Sequence, residues 1–140
     1  MIVIEKMGHS DLKHVVNLHR TLVPFEVSEA HAEKVYEQIK NDENYAILIA
    51  KEEAEILGTI TVICCKALAT NFLVMEDFVV KDGLRGKGIG GKLMAAADDF
   101  AREQGCTYGI LVSSGHRKEA HRFYENHGFV EDVRGFRKEY

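Results

Sequence analysis

Apolar positions recur along this chain with two periods, and the periods predict where helices and strands alternate. A spacing of three and four residues is typical of a helix that packs one face on a core. It occurs in four segments, Leu12 to His19, Ala32 to Ile39, Ile89 to Phe100 and Ala120 to His127. Apolar runs without this spacing predict strands, and they cover residues 2–4, 45–50, 56–65, 72–80 and 108–112. The segments 129–133 and 135–140 are expected to complete the sheet.

Capping and helix-breaking residues mark the limits of the first two helices. Ser10 with Asp11 is predicted to cap the first helix and Ser28 the second, because short polar side chains accept hydrogen bonds from the first turn. Pro24 stands between the two helices and cannot continue either of them. We therefore expect an exposed loop over residues 20–28.

The order of the strands predicts a mixed sheet. Residues 45–50 and 56–65 flank a charged turn and predict an antiparallel hairpin, which the strand at 72–80 extends. A strand, a helix and a strand in succession make a right-handed crossover, so the strands at 72–80 and 108–112 are predicted to run parallel. The loop that precedes the crossover helix then lies at the carboxyl ends of both strands.

That loop, residues 85–91, is rich in glycine and is called the cradle below. Its residues are Arg85, Gly86, Lys87, Gly88, Ile89, Gly90 and Gly91. Glycines let an anion approach the backbone N–H groups, and the first turn of the following helix adds unpaired donors and a partial positive charge. The two cations strengthen the same attraction, so the cradle predicts a phosphate-binding site.

Two nucleotide-binding motifs fit the cradle only in part. Residues 86–92 have the spacing G-x-x-x-x-G-K, but Leu93 stands where Ser or Thr should hold Mg²⁺. Residues 86–91 also fit G-x-G-x-x-G, yet the acidic residue needed about twenty positions later falls among residues 111–113, which are not acidic. The sequence therefore favours neither a P-loop nor a dinucleotide-binding fold.

A third motif fits better, because two of its parts stand at the right distance. Arg85, Gly88 and Gly90 form R-x-x-G-x-G, and residues 120–129, AHRFYENHGF, form A-x-x-F-Y-x-x-x-G-F. Together they resemble the GNAT superfamily of acyl-CoA-dependent N-acyltransferases. The order of the predicted elements is also that of the family, so the resemblance covers nearly the whole chain, with the specific motifs in its second half.

The resemblance implies a fold and a cosubstrate. The fold is α/β (α+β), with a mixed, mostly antiparallel sheet flanked by helices and one parallel pair splayed at the cofactor site. The cosubstrate is acetyl-CoA, whose pyrophosphate would lie on the cradle while its pantetheine arm bonds the main chain of the strand before it. The cofactor-binding residues implied are Phe78, Val79, Val80, Arg85, Gly86, Lys87, Gly88, Ile89, Gly90, Gly91 and Arg117.

Acetyl transfer to an amine also requires a base, since an amine of pKa about 10 is mostly protonated at neutral pH. A water chain or one of two carboxylates, Glu76 and Asp77, can serve. Adjacent strand residues face opposite ways, so only one of the two faces the substrate unless a bulge intervenes. We favour Glu76, and the alternative for each carboxylate is a surface ion pair.

The late motif also supplies an acid and one departure from the family. Tyr124 matches the tyrosine that protonates the departing thiolate, and the alternative is an aromatic residue that only packs. Arg117 stands where many relatives carry Asn, so the usual side-chain amide contact with pantetheine is not expected here.

The acceptor is expected to be the primary amine of a small molecule, because the segment R-x-x-A-H-R-F-Y and the short meander are similar to aminoalkylphosphonate and glucosamine-6-phosphate N-acetyltransferases. An anionic group on it could meet four basic residues, Arg20, Arg117, His121 and Arg122, which otherwise form a solvated face. A protein N-terminal or lysine acetyltransferase remains an alternative. A non-catalytic acyl-CoA-binding regulatory module is another, against which Glu76 and Tyr124 both argue.

Composition limits the number of domains, the class of partner and the location that we expect. With 140 residues and 46% apolar content we expect one domain over residues 1–140. A net charge of −4 and a pI near 6.0 argue against nucleic acid as a partner. No stretch of eighteen apolar residues and no secretion signal is evident, so we expect a soluble, cytoplasmic protein without a membrane partner. A homodimer is compatible with the sequence.

Neither the cysteines nor the histidines predict a metal site. Cys64, Cys65 and Cys106 have no metal or redox spacing and are expected to be reduced. His116, His121 and His127 are spaced by five and six residues, which does not place three imidazoles on one helix face. We therefore expect no metal.

Overall fold

The computed structural model of the protein describes residues 1–113 and 117–140. Its strands are β1 (Val3–Lys6), β2 (Tyr45–Glu52), β3 (Glu55–Lys66), β4 (Asn71–Val80) and β5 (Cys106–Ile110). Its helices are α1 (Leu12–His19), α2 (Glu29–Ile39), α3 (Ile89–Glu103) and α4 (Lys118–Asn126), and a 3-10 turn at His9–Asp11 precedes α1.

The five strands form one mixed sheet in the order β1-β2-β3-β4-β5. The first four are antiparallel to their neighbours, and β5 runs parallel to β4, with Phe72 opposite Tyr108 and Val74 opposite Ile110. This confirms the predicted hairpin, meander and parallel pair.

Helices cover both faces of the sheet. On one face α3 places Leu93, Met94 and Ala97 in contact with the sheet, all three with no exposed surface. On the other face Val15 and Val16 of α1 pack into a second buried cluster. The helix α2 lies outside α1 and has no fully buried residue. The sheet is thus the middle layer, and β4 contributes side chains to both cores.

The predicted cap of the second helix is confirmed, and that of the first is confirmed in position only. The Ser28 hydroxyl accepts a hydrogen bond from the His31 N–H at 3.2 Å. Ser10 lies inside the 3-10 turn, and Asp11 occupies the N-cap position of α1 without a side-chain hydrogen bond to that helix. The Asp11 carboxylate instead accepts from the Gly8 N–H at 3.0 Å.

The two strands predicted at residues 129–133 and 135–140 are also wrong, because the chain after Gly128 has no regular structure. Apart from Phe129, which packs on the core, its large apolar side chains are exposed. Apolar residues there do not alternate consistently with polar ones, so neither face of a strand would be apolar. The sheet therefore ends at β5.

Across residues 1–113 and 117–140, no helix is both long and apolar enough to cross a membrane.

Candidate active site

The cradle begins just after β4 and leads into α3. Gly86 and Gly88 have φ of 84° and 81°, the left-handed region that residues with a side chain rarely adopt. At either position a Cβ would have no heavy atom within 4 Å. The Gly88 carbonyl accepts the first bond of the helix, from the Lys92 N–H at 3.1 Å, so the three N–H groups before Lys92 have no partner within the helix. Open space thus lies beside backbone donors, as anion binding requires.

Gly90 has a second use that sequence reasoning missed. A Cβ at this position would lie 3.2 Å from two ring atoms of Phe123 and 3.4 Å from the ring of Phe78. The absence of a side chain therefore lets α4 and β4 press their aromatic rings onto the first turn of α3.

The cations of the cradle are exposed. A guanidinium nitrogen of Arg85 lies 3.6 Å from a carboxylate oxygen of Asp82, with the two side chains 73% and 82% exposed. Exposed pairs of this kind hold weakly. Arg85 is therefore available to an anion on the cradle, and Lys87 is exposed beside it.

The parallel strands diverge before β4 ends. Their pairing stops at Val74 opposite Ile110, while β4 continues to Val80. A cavity of about 1140 Å³ lies at this divergence. Its walls include Leu73 and Met75 of β4 and Tyr124 of α4, and residues 128–135 close its far side. An extended chain entering between the strands would pass Tyr124.

Tyr124 belongs to an aromatic cluster at this cavity. Its ring centroid lies 6.3 Å from that of Phe78, 5.7 Å from that of Phe123 and 6.1 Å from that of Phe129. Burial raises the pKa of Tyr124, and the positive charge of Arg117 partly opposes the shift. The phenol is therefore protonated at neutral pH and can donate a proton into the cavity.

A bulge interrupts β4 at the predicted base. The pairing with β3 shifts by one residue between Thr59 and Thr61, so that Ile60 alone stands opposite Asp77 and Phe78. Asp77 has φ of 50°, which is uncommon for a residue other than glycine. The bulge is the exception that the sequence analysis allowed for the two neighbouring carboxylates.

The extra residue reverses which face each β4 side chain meets. Leu73 and Met75, before the bulge, belong to the core under α3. After it, Phe78 and Val80 pack against that core while Val79 packs in the core under α1. The residues in between form the boundary between the two cores.

Asp77 at this boundary acts on the neighbouring Glu76. Partial burial raises the pKa of Glu76, and the negative charge of Asp77 raises it further. Glu76 nevertheless keeps an exposed side chain, while Asp77 is half-buried. A carboxyl of raised pKa accepts a proton more readily than an ordinary one.

His19, the last residue of α1, lies in the same region and was missed by sequence reasoning. Its Nε2 is buried and has no hydrogen-bond partner within residues 1–113 and 117–140. Burial lowers the pKa of His19, while the charge of Asp77 acts in the opposite direction. The signal in the sequence was a polar residue at a position of the apolar stripe, which helical periodicity treats as core.

The predicted basic residues fall into separate places. Arg117 stands at the start of α4, exposed and close enough for its charge to act on Tyr124. Arg20 donates to the Asn17 side chain at 2.6 Å and to the Val27 carbonyl at 3.3 Å, so it holds the loop after α1.

One histidine and one arginine complete that set, and His116 was considered only as a metal ligand. His121 lines the cavity, and Arg122 is exposed on the same helix. His116 lies outside the described residues.

One group of side chains in the described part of the chain has the spacing to hold a metal ion, namely His9, Glu33 and Glu37. Ordinary ion pairs already account for it. His9 Nε2 lies 2.8 and 2.9 Å from the two Glu33 oxygens, and Glu37 pairs with Lys40 at 2.7 Å. The group lies on the 3-10 turn and on α2.

The three cysteines are free thiols. The sulfurs of Cys64 and Cys106 lie 3.7 Å apart. Burial and the neighbouring sulfur raise the pKa of Cys106 to about 11, so at neutral pH it is a protonated thiol and a poor nucleophile.

Comparison with known proteins agrees with this geometry. The model of a family described as "Acetyltransferase (GNAT) family" matches residues 12–129. The N-acetyltransferase YhfO of Bacillus subtilis, itself named as uncharacterized, is 32% identical over 102 residues, which are 69% of this chain and 65% of YhfO. The aminoalkylphosphonate N-acetyltransferase of Salmonella typhimurium is 34% identical over 64 residues, 46% of this chain and 42% of that enzyme.

A solved structure is similar over its full length. Glucosamine-6-phosphate N-acetyltransferase from Arabidopsis thaliana superposes with a TM-score of 0.87 at 26% identity, covering 100% of this chain and 99% of that one. By contrast, the chain spans less than two thirds of the length of both curated relatives.

Proposed function

Since this chain belongs to the GNAT family of acetyltransferases, we propose that it moves an acetyl group from acetyl-CoA to the primary amine of a small molecule by direct transfer. The observation that carries the proposal is the placement of the cradle, the divergence of β4 from β5 and Tyr124 along one path. A cosubstrate with a phosphate-rich end and a long thin arm fits such a path.

The cradle fits the pyrophosphate of CoA. Gly86 and Gly88 leave the backbone donors open, and Arg85 and Lys87 add positive charge at the mouth. The arm would follow the free edge of β4, where the main chain of residues 78–80 has no strand partner on the side of β5. Main-chain groups at such an edge can bond the amides of pantetheine.

The leaving thiolate requires a proton, and we assign its donation to Tyr124. Its phenol lines the cavity at the divergence and remains protonated because burial raises its pKa. Cys106 does not offer a competing covalent route, since its thiol is protonated and only partly exposed. Both observations support direct transfer within a complex of acetyl-CoA and amine.

The acceptor ammonium would approach from the side of β4 that carries Glu76 and Asp77. Two neighbouring carboxylates attract a cation, and the raised pKa of Glu76 makes it one group able to take a proton. The names of two relatives, an aminoalkylphosphonate and a glucosamine-6-phosphate N-acetyltransferase, support an amine with an anionic group. Arg117, exposed beside Tyr124, could bind that group.

A panel of amines incubated with acetyl-CoA, with free thiol release as the measurement, tests the proposal. Aminoalkylphosphonates, amino sugars and their phosphates form one arm, and peptides with a free N-terminus or lysine form the other. We expect turnover in the first arm. Turnover confined to peptides would show that the acceptor is a protein or peptide amine rather than a small molecule. Hydrolysis of acetyl-CoA without any acetylated product would overturn the proposal.

A further inference from the structure

The cavity at the divergence of β4 and β5 is large for an acetyl group. Its volume of about 1140 Å³ exceeds the range of roughly 300–1,000 Å³ that is typical of pockets for drug-sized ligands. We infer that this cavity binds a neutral acyl chain longer than acetyl, and that the protein transfers such chains from acyl-CoA to the amine. The inference rests on the proposed function, since it extends the range of acyl donors for that reaction.

The cavity includes the group to which we assign the proton for the leaving thiolate. Tyr124 lines it, and so does Phe129, whose ring centroid lies 6.1 Å from that of Tyr124. The Phe129 N–H donates to the Tyr124 carbonyl at 3.0 Å, so the chain leaves α4 at a fixed place. An acyl chain attached to the sulfur beside Tyr124 would therefore continue into the same cavity.

The inner wall of the cavity is apolar. Leu73, Met75, Ala101, Leu111 and Phe129 line it, and each of them belongs to the core under α3 or packs against that core. Ala101, Leu111 and Phe129 are only partly buried, so they keep apolar surface that a ligand can cover. For an alkyl chain, each methylene group that is fully removed from water raises the affinity about fourfold.

The outer wall adds apolar side chains that are exposed. Val112, just after β5, and Val130 and Val133, after α4, line the cavity and are 79%, 75% and 71% exposed. The two parts of this wall also meet, since a Cβ at Gly135 would lie 3.8 Å from a methyl carbon of Val112. Exposed apolar residues that share one concavity are a feature of ligand-binding grooves. A chain of several carbons would cover them.

The charges around the cavity disfavour an acyl group with a terminal carboxylate. Among the lining residues in the described part of the chain, four carry carboxylates and one, Arg134, carries a guanidinium. The carboxylates are those of Asp98, Glu125, Glu131 and Asp132. Like charges brought together raise the free energy of binding, whereas an alkyl chain has no charge. We therefore expect butanoyl-CoA to be preferred to succinyl-CoA.

The chemical step differs from acetyl transfer only in the length of the acyl group. The nitrogen of the neutral amine forms a C–N bond with the thioester carbonyl carbon, and the C–S bond breaks with its electron pair going to sulfur. The nitrogen loses one proton to solvent. The thiolate takes one from Tyr124, which recovers it from solvent, so the products are an amide and CoA and no further reactant is required.

Binding in the absence of an acceptor tests the cavity by itself. Titration calorimetry with acetyl-, butanoyl-, hexanoyl-, octanoyl- and succinyl-CoA measures affinity as a function of chain length and charge. We expect the Kd to fall at least about tenfold from acetyl- to hexanoyl-CoA, because the added methylene groups are partly removed from water. Affinity that is equal for all chain lengths, or that falls with length, would overturn the inference.

A substitution at the inner wall locates the chain. Ala101→Leu adds bulk where Ala101 lines the cavity, so the preference for hexanoyl-CoA over acetyl-CoA should fall about tenfold. Ala95→Leu is the matched control, since Ala95 is exposed on the same helix and does not line the cavity. An equal preference in Ala101→Leu and Ala95→Leu would show that the chain lies elsewhere and would overturn the inference.

A substitution at the outer wall does not depend on the packing of the core. Val130 is exposed, so Val130→Asp should keep the fold and lower the preference for hexanoyl-CoA about two- to fourfold. Val3→Asp, at an exposed position of β1, is its control. If Val130→Asp instead lowers the mass measured by sedimentation velocity and leaves the preference unchanged, the wall contacts a second copy of the chain and the inference is overturned.

Turnover separates this inference from the proposed function. With an amine accepted in the panel, hexanoyl-CoA should release free thiol and give a hexanoyl amide, which mass spectrometry identifies. Transfer of acetyl alone, with hexanoyl-CoA inactive, would overturn the inference and leave the proposed function intact. The absence of transfer from any donor to any amine would overturn the proposed function, and this inference with it.

Discussion

The two ends of the proposed reaction path are built in different ways. The cradle consists of backbone donors and cations from one continuous loop, and its glycines stand at fixed distances along the sequence. The proposed acceptor side consists of the Glu76 and Asp77 side chains at the bulge of β4, whose placement depends on the pairing of β4 with β3. An anion needs several N–H groups at one place, which a local motif can provide. A proton needs a group with a tuned pKa, which depends on burial and on neighbouring charge.

Filling the cradle should give the largest effect. In Gly88→Val the left-handed backbone costs roughly 1–2 kcal/mol, and the side chain blocks donors worth about 1.5–3 kcal/mol each toward a charged group. We therefore expect CoA affinity to fall at least about 100-fold. Titration calorimetry with CoA measures the loss, and circular dichroism checks that the fold persists.

Gly105→Val is the control for that variant. Gly105 has φ of 70° and open space around it, but it stands at the other end of α3. A valine at position 105 would have the same cost of a left-handed backbone conformation, but it would not contact the cradle. Equal CoA affinity in Gly88→Val and the wild type would show that the cradle does not hold the pyrophosphate.

Removing one proton donor should give the next largest effect. Tyr124→Phe keeps the contacts with Phe78 and Phe123 and removes only the hydroxyl. We expect kcat to fall about 10²- to 10⁴-fold with little change in acetyl-CoA affinity or melting temperature. Tyr140→Phe, at an exposed position that does not line the cavity, is the control. A kcat within about threefold of wild type, when chemistry is rate-limiting, would leave water as the donor.

A smaller effect, on stability, should distinguish the glycine that makes room for aromatic rings from the glycines that leave the backbone donors open. In Gly90→Ala the new Cβ would stand 3.2 Å from the Phe123 ring, and overpacking of this kind typically costs about 1–3 kcal/mol. We expect a melting temperature lower by a few degrees. Gly109→Ala, whose Cβ would meet its nearest neighbour at 3.6 Å, should be nearly neutral. If Phe123→Leu in the same chain does not relieve the loss, ring packing is not its cause.

The smallest expected effect concerns the acceptor. Arg117 is exposed, so Arg117→Ala should raise the acceptor KM by about two- to fivefold, as a weak surface contact implies, with the acetyl-CoA KM unchanged. Because its charge lowers the pKa of Tyr124, the loss of activity at high pH should also move to higher pH. Lys118→Ala serves as the control, and a rise in the acetyl-CoA KM instead would assign Arg117 to the cosubstrate.

Much of the fold followed from local patterns. The helices and the first five strands were predictable because each has an apolar run or stripe, and residues of that run or stripe pack, fully or partly buried, against one of the two cores. Residues 129–140 were not, since they carry β-forming residues whose pattern gives no apolar face. Strand propensity without a surface to pack against did not produce strands.

The candidate site divides in the same way. Gly86 and Gly88 have the conformations that the cradle motif requires. From the sequence, the bulge could be named only as the condition under which both carboxylates would face the substrate. Nothing in the sequence predicted it, because Glu76 and Asp77 are ordinary strand residues. The influence of Asp77 on His19 was not predictable, since it depends on how α1 packs beside β4.

The bulge also reverses the parity of β4, that is, whether odd- or even-numbered residues face α3. Odd-numbered residues such as Leu73 and Met75 face α3 before it, and even-numbered residues such as Phe78 and Val80 do so after it. Deleting Asp77 would restore a single parity and leave Leu73, Met75, Phe78 and Val80 on the side of α3. Deleting a residue elsewhere in the strand would instead turn the side chains on one side of the deletion to the opposite face. A deletion scan of β4 should therefore show loss of folded protein within residues 73–80 at positions other than the bulge, while the open turn at 67–70 tolerates deletions better.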